Sequence, residues 1–211
     1  MISAEKALQR LKEGNLRFRS HDHSDVEIGS MSRNRLIHAQ SPFAIILGCS
    51  DSRVPAELVF GLGLGDLFVI RVAGNIVAPS QIGSIEFAAE KFSTHLVVVM
   101  GHSLCGAVEA TLEQLQQPTD NRSPNLRAIV DRISPAVESL VKFDAKSSSG
   151  DNTPMITPEL LDQAVRSNIK ASVDKLHQGS EILKALIKND KLLIMGAEYF
   201  LETGEVEFFS S

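Results

Sequence analysis

A strand pattern that ends in a cluster of polar side chains is the most informative part of the sequence: Phe43-Ala44-Ile45-Ile46-Leu47-Gly48-Cys49-Ser50-Asp51-Ser52-Arg53. The residues before Gly48 are apolar without alternation, which is typical of a strand covered on both faces of a parallel sheet. A second stretch has the same arrangement: Leu96-Val97-Val98-Val99-Met100 is followed by Gly101-His102-Ser103-Leu104-Cys105-Gly106. Each glycine lets the chain turn sharply at the end of its strand.

The rest of the chain alternates strand and helix patterns. Apolar runs at 67–72 and 192–195 predict two more strands, and helical patterns cover 4–18, 80–92, 107–116, 126–143 and 158–188. Strands separated by helices indicate an α/β fold, with a mainly parallel central sheet flanked by helices. The tail 199–209 predicts two extended pieces around Thr203-Gly204, and therefore an antiparallel edge strand near the C-terminus.

The length of 211 residues fits a single domain over 1–211, with an N-terminal helical arm over about 1–40. The stretches 117–124 and 146–158 are rich in Ser, Asn, Asp and Pro and predict surface loops. The polar segment with His21, Asp22, His23 and Asp25 predicts a solvated loop, although it could also be an adventitious metal site.

Composition excludes several classes of partner. A net charge of -5, 5% aromatic residues and no tryptophan argue against nucleic acid and against an anionic membrane surface. The N-terminus lacks the apolar core of a signal peptide, and no run is long enough to span a bilayer. We therefore expect a cytoplasmic protein, in which two cysteines more often form a metal or reactive pair than a disulfide.

The two polar clusters predict one zinc site. If their strands are neighbours, Cys49, Asp51, His102 and Cys105 converge at the carboxyl edge of the sheet, and thiol, imidazole and carboxylate are zinc ligands. Two alternatives remain: buried cysteines that act as small hydrophobes, and a structural zinc site with four protein ligands. Arg53 weighs against a structural site, because a carboxylate that only ligates metal needs no guanidinium beside it.

Cys49-Ser50-Asp51-Ser52-Arg53 followed by His102-x-x-Cys105-Gly106 resembles the β-class carbonic anhydrases. The similarity extends to the opening Ala7-Leu8-x-x-Leu11-x-x-Gly14-Asn15-x-Arg17-Phe18, to Gln40-Ser41-Pro42, to Val69-Ile70-Arg71-Val72-Ala73-Gly74-Asn75, to Ser84-Ile85-Glu86-Phe87, and to Tyr199 with Thr203-Gly204. The resemblance implies a homodimer as the basic unit, often within larger assemblies such as a homotetramer, with active sites at the subunit interface.

The resemblance also implies the chemistry. One zinc ion per chain, held by Cys49, His102 and Cys105, supports reversible hydration of carbon dioxide to bicarbonate and a proton by zinc-bound hydroxide. Asp51 either takes the fourth zinc position or pairs with Arg53, which orients the hydroxide and gates the site. Two thiolates neutralise the formal charge of zinc, so the bound water should be less acidic than in a three-histidine site, and activity should rise with pH.

By the same resemblance, Phe68, Ala73 and Phe87 line a small apolar pocket for carbon dioxide. Gln40 matches a glutamine that, in one subset of the family, reaches the substrate across the dimer interface, although Gln-Ser-Pro is also a plausible entry to a strand. Ile46 stands where a second subset has the tryptophan of an inhibitory bicarbonate site, which puts that site in doubt.

Two rival functions remain open from the sequence. One is hydrolysis of carbonyl sulfide or carbon disulfide, which differs in pocket shape. The other is a bicarbonate- or zinc-binding module without catalysis, which the Asp51–Arg53 pair argues against.

Overall fold

The computed structural model describes residues 2–21, 33–34, 36–118, 123–147 and 156–210, with the backbone alone for 142–147. The helices are α1 (Ala4–Arg19), α2 (Ala56–Val59), α3 (Pro79–Phe92), α4 (Gly106–Gln116), α5 (Pro124–Ser147), α6 (Pro158–Gly179) and α7 (Glu181–Lys188), with a 3-10 turn over Ala73–Asn75. The strands are β1 (Ala44–Gly48), β2 (Leu67–Arg71), β3 (Leu96–His102), β4 (Leu193–Tyr199) and β5 (Val206–Phe209).

The strands form one five-stranded sheet in the order β2-β1-β3-β4-β5. All neighbours are parallel except β4 and β5, which are antiparallel. The predicted α/β fold with its antiparallel edge is therefore confirmed. The chain runs from β1 outward to β2 and then returns to β3 on the other side of β1, so strand order reverses between β1 and β3. Ligands bind at such a switch point, beyond the carboxyl ends of the strands.

Alternate side chains of β1 and β3 enter two apolar cores, one on each face of the sheet. Ile45, Leu47, Val97 and Val99 pack in the first core, with side chains of α3 through α7. Ala44, Ile46, Val98 and Met100 pack in the second core, beneath α1 and α2. Both strands are buried along their whole length, which explains why their sequences do not alternate.

One prediction of secondary structure is wrong: the pattern over 158–188 is two helices rather than one. The chain breaks at Ser180, which is extended (φ -144, ψ 125) and whose side chain caps α7 by accepting a hydrogen bond from the Leu183 amide at 3.1 Å. The Ser180 hydroxyl also donates to Glu86 on α3. Helical periodicity continues through Ser180, but this capping and the bond to α3 bend the chain there.

Several other predictions concern loops. His21 lies in a turn after α1, whereas Asp22, His23 and Asp25 lie outside the described residues. So do 119–122 and 148–155, which are half of the first predicted surface loop and most of the second. Within the described part of the chain, no helix has the length and apolarity needed to cross a bilayer. The single domain over 1–211 stays a prediction.

Candidate metal centre

Two loops at the switch point place a cysteine, a histidine and a second cysteine together. Cys49 directly follows β1, His102 is the last residue of β3, and Cys105 is the residue before α4. The register pairs Gly48 with Met100, the last residue of β1 with the residue two positions before the end of β3, so Cys49 and His102 lie close together at the carboxyl edge of the sheet. The ligand atoms of the three residues lie within 4.8 Å of one another, and all three residues are buried.

His102 is oriented for a metal ion. Its Nδ1 lies 2.9 Å from the carbonyl oxygen of Ser103, an acceptor that places the ring proton on Nδ1 and leaves the lone pair on Nε2. Nε2 is buried and has no hydrogen-bond partner among the described residues. A buried nitrogen without a partner is uncommon in a folded protein. Because Nδ1 is engaged by Ser103, Nε2 is the ring nitrogen left to act with the two thiols, and a set of two thiols and one imidazole fits zinc.

The two thiols are free and buried. The hydrogen bond between the two thiols is the main cause that lowers the pKa of Cys49. That hydrogen bond and burial raise the pKa of Cys105, while the amides of Val108 and Ala107 in the first turn of α4 oppose the rise. The amides of Asp51 and Gly74 each donate to the Cys49 sulfur at 3.4 Å. Backbone amides therefore stabilise negative charge on both sulfurs.

Asp51 is paired with Arg53 at the open side of this cluster. The guanidinium donates from Nε to Oδ1 at 2.9 Å and from Nη2 to Oδ2 at 2.7 Å, and the Arg53 amide donates to Oδ1 at 2.9 Å. These bonds hold the pKa of Asp51 well below its usual range. Asp51 Oδ2 lies 3.9 Å from His102 Nε2. The carboxylate is thus beside the cluster, with both oxygens engaged by Arg53.

Leu104 makes the turn between His102 and Cys105. Its φ of 55° lies in the left-handed region, which is uncommon for a bulky residue. The turn brings His102 and Cys105 close together. It also places the Leu104 carbonyl 3.3 Å from Arg53 Nη2, from which it accepts a hydrogen bond. The neighbouring Ser103 hydroxyl donates to Glu202 at 2.9 Å and accepts from the Leu201 amide at 3.0 Å. The second loop is therefore tied to the chain after β4.

Arg71 is a residue of the site to which the sequence analysis gave no role. It ends β2 opposite Gly48, where its Nε donates to the Cys49 carbonyl at 2.9 Å and its Nη2 donates to the Asp51 carbonyl at 2.6 Å. It thus fixes the backbone of the first loop. A charged residue at the end of an apolar strand is a usable signal, but its target depends on the register of β1 and β2, which the sequence does not show.

The predicted substrate residues are not all close to the cluster. Ala73 begins the turn whose next residue, Gly74, contacts the Cys49 sulfur. Phe68 pairs with Ile45, three positions before Gly48, and its ring packs with those of Phe87 and Phe92 at centroid distances of 6.2 and 6.0 Å. Gln40 is exposed and precedes β1, at the other end of the sheet. Within one chain, therefore, only Ala73 of these residues adjoins the cluster, and the pocket stays a prediction.

Known proteins resemble this chain along most of its length. The family model described as carbonic anhydrase matches residues 44–206. The carbonic anhydrase of Mycolicibacterium smegmatis is 35% identical over 204 residues, which are 97% of this chain and 92% of that protein. Carbonic anhydrase 2 of Mycobacterium tuberculosis is 34% identical over 200 residues, covering 94% of this chain and 89% of that protein. The solved structure of the β-carbonic anhydrase CcaA superimposes with a TM-score of 0.69 at 28% identity and covers 97% of this chain and 99% of that one.

Proposed function

Because the chain belongs to the β-class carbonic anhydrases and so hydrates carbon dioxide reversibly, we propose that Cys49, His102 and Cys105 bind one zinc ion per chain. The observation that carries the proposal is the convergence of three ligand atoms within 4.8 Å, together with a buried His102 Nε2 that has no partner among the described residues. When bound, zinc supplies a Lewis acid that turns water into a nucleophile for carbon dioxide, moderated here by two thiolate ligands.

Asp51 orients the reacting groups, and Arg53 holds Asp51 in place. The three hydrogen bonds from Arg53 keep the carboxylate ionised and turned toward the guanidinium. If Cys49, His102 and Cys105 held zinc, Asp51, whose Oδ2 lies 3.9 Å from His102 Nε2, would lie beside the fourth position and would be able to accept a hydrogen bond there. This arrangement supports a resting state in which Asp51 is off the metal. Rotation of Asp51 away from Arg53 would let the carboxylate take the fourth position and switch the enzyme off.

Carbon dioxide binds in an apolar pocket that two subunits complete. Ala73 adjoins the cluster from its own chain, whereas Gln40, Phe68 and Phe87 act across a homodimer interface, within a dimer or a larger homo-oligomer such as a tetramer. Two features support this assembly. Strand β2 lies at an open edge of the sheet, and Phe87 is 52% exposed although its ring packs against Phe68. Large exposed aromatic surface is typical of subunit contacts.

The proposal includes a cytoplasmic location. Its small-molecule partners are carbon dioxide and bicarbonate. Both cysteines are free and lie in the candidate metal centre, so neither is used in a disulfide, which agrees with a reducing compartment. Cell fractionation with an antibody to the chain tests the location.

The test of the proposed function is a stopped-flow assay of carbon dioxide hydration with metal analysis on the same sample. We expect about one zinc ion per chain, and a rate that rises from about pH 6.5 to about pH 9 because two thiolates make the bound water less acidic than three imidazoles would. His102→Ala should lose zinc and activity, whereas the matched variant His177→Ala should keep both. Stoichiometric zinc without turnover at alkaline pH would refute the proposal, and parallel assays with carbonyl sulfide and carbon disulfide test the rival substrates.

A further inference from the structure

A backbone amide outside the two ligand loops contacts the metal centre. Gly74, in the turn Ala73–Asn75, donates its N–H to the Cys49 sulfur at 3.4 Å. An amide that donates to a ligand sulfur stabilises its negative charge and fixes its direction, and such outer contacts commonly change metal affinity. The position of this turn therefore determines whether the Gly74 amide can donate to the Cys49 sulfur.

The turn has an unusual backbone. Gly74 and Asn75 have φ values of 68° and 43°, so two consecutive residues are left-handed. Glycine is required at the first position, because a Cβ there would lie 2.8 Å from Ile133 Cδ1 and 3.1 Å from the Ala107 Cβ. Asparagine tolerates the left-handed region better than most residues. Such a conformation persists only where the surrounding structure imposes it.

Helix α6 supplies that support through two buried polar side chains. Asn168 Nδ2 donates to the Gly74 carbonyl at 2.9 Å, and Ser172 Oγ donates to the Asn75 carbonyl at 3.2 Å. The two residues are four positions apart and so lie on one face of the helix. They are 2% and 5% exposed. Their apolar neighbours Ile169 and Val173 are fully buried and keep this face of α6 against the sheet.

We propose that Asn168, assisted by Ser172, is a positioning residue for the metal centre, which aims the Gly74 amide at the Cys49 sulfur and thereby strengthens metal binding. The inference rests on the proposed function, in which Cys49 is a zinc ligand. Neither Asn168 nor Ser172 belongs to the candidate ligand set, and both act through the backbone of the turn.

The experiment compares Asn168→Ala and Ser172→Ala with wild type and with the matched control Thr94→Val. Thr94 is also buried and donates from its hydroxyl to a carbonyl, that of Pro42, at 2.8 Å, but at the opposite end of the sheet. Two readouts are used: the zinc dissociation constant from chelator competition, and the thiolate-to-cobalt absorption band of the Co2+-loaded protein. We expect Asn168→Ala to weaken zinc binding by about 10- to 100-fold and to shift the band. Ser172→Ala should act in the same direction, and Thr94→Val should change neither readout.

The outcomes separate the alternatives. Wild-type affinity and an unshifted band in folded Asn168→Ala would overturn the proposal, and if that variant fails to fold, the same result in Ser172→Ala overturns it. An equal loss of affinity in Thr94→Val would also overturn it, because general destabilisation would then explain the effect. If wild type itself binds no zinc, the proposed function fails together with the inference. If wild type binds zinc and the α6 variants bind it as tightly as wild type does, the inference alone fails.

Discussion

Replacing Gly101 with alanine tests how tightly α6 packs on the strand that carries His102. A Cβ at Gly101 would lie 2.6 Å from both Cδ1 and Cγ1 of Ile169, whereas carbon atoms in contact are about 3.5–4.0 Å apart. The added methyl is therefore about 1 Å too close. Ile169 is fully buried, and the helix around it is anchored to the turn at Gly74, so neither side can yield freely.

We expect Gly101→Ala to lower the free energy of unfolding by about 1–3 kcal/mol, the usual effect of overpacking a core. Ile169→Ala alone should lower it by about 2–5 kcal/mol because it leaves a cavity. In the double variant the new methyl has room, so the loss in free energy of unfolding should be about 1–3 kcal/mol smaller than the sum of the two single losses. Urea unfolding of the four proteins at one pH and protein concentration measures this coupling.

Gly83→Ala is the matched control for this cycle. Gly83 lies within α3, and a Cβ there would meet nothing within 4 Å. The substitution should raise the free energy of unfolding by about 0.5–1 kcal/mol, since alanine favours a helix interior over glycine. If Gly101→Ala is as stable as wild type, or if its effect adds strictly to that of Ile169→Ala, the contact between Gly101 and Ile169 is not tight.

Three further predictions concern the site and its support. Arg53→Ala should keep zinc at wild-type stoichiometry but lose about 100-fold or more in hydration rate, because Asp51 loses its orienting partner; full activity in the zinc-loaded variant would remove Arg53 from the mechanism. Asn15→Ala should lower the free energy of unfolding by about 3–5 kcal/mol, because the Asn15 side chain makes hydrogen bonds with the backbone of Val59, Gly204 and Val206 in the interior. The control Asn189→Ala, at the exposed end of α7, should change it by less than about 0.5 kcal/mol, and equal stability of the two variants would contradict the prediction. Burial raises the pKa of Glu198 despite its hydrogen bond with Arg166, so Glu198 contributes favourably to the free energy of unfolding at low pH and this contribution is lost as pH rises through the raised pKa. The free energy of unfolding, measured from about pH 4 to about pH 8, should therefore depend less on pH in Glu198→Gln than in wild type, and identical pH dependence in the two proteins would exclude the effect.

The sequence predicts the parts of the site that follow from strand direction. Parallel neighbours end at one edge of a sheet, so the pattern after each strand was enough to place Cys49, His102 and Cys105 together. The remaining parts depend on contacts between distant segments. Arg71 reaches the first loop only through the register of β1 and β2, and Asn168 lies 94 positions from the residue that it supports. The break at Ser180 likewise involves a bond to Glu86 on another helix, which no local periodicity reports.

The hydroxyl of Ser103 has a consequence for the order in which the molecule is assembled during synthesis. The three candidate metal ligands all lie at or before residue 105, but β3 pairs with β4 at 193–199 and the second loop is tied to Glu202 and Leu201. Helix α1 is joined to the same late segment through Asn15 and Val206. Contacts of such long sequence separation form late and slowly. The second loop is therefore fixed only after nearly 100 further residues have been synthesised. We expect the metal to bind after translation of β4 and β5 rather than to nucleate folding.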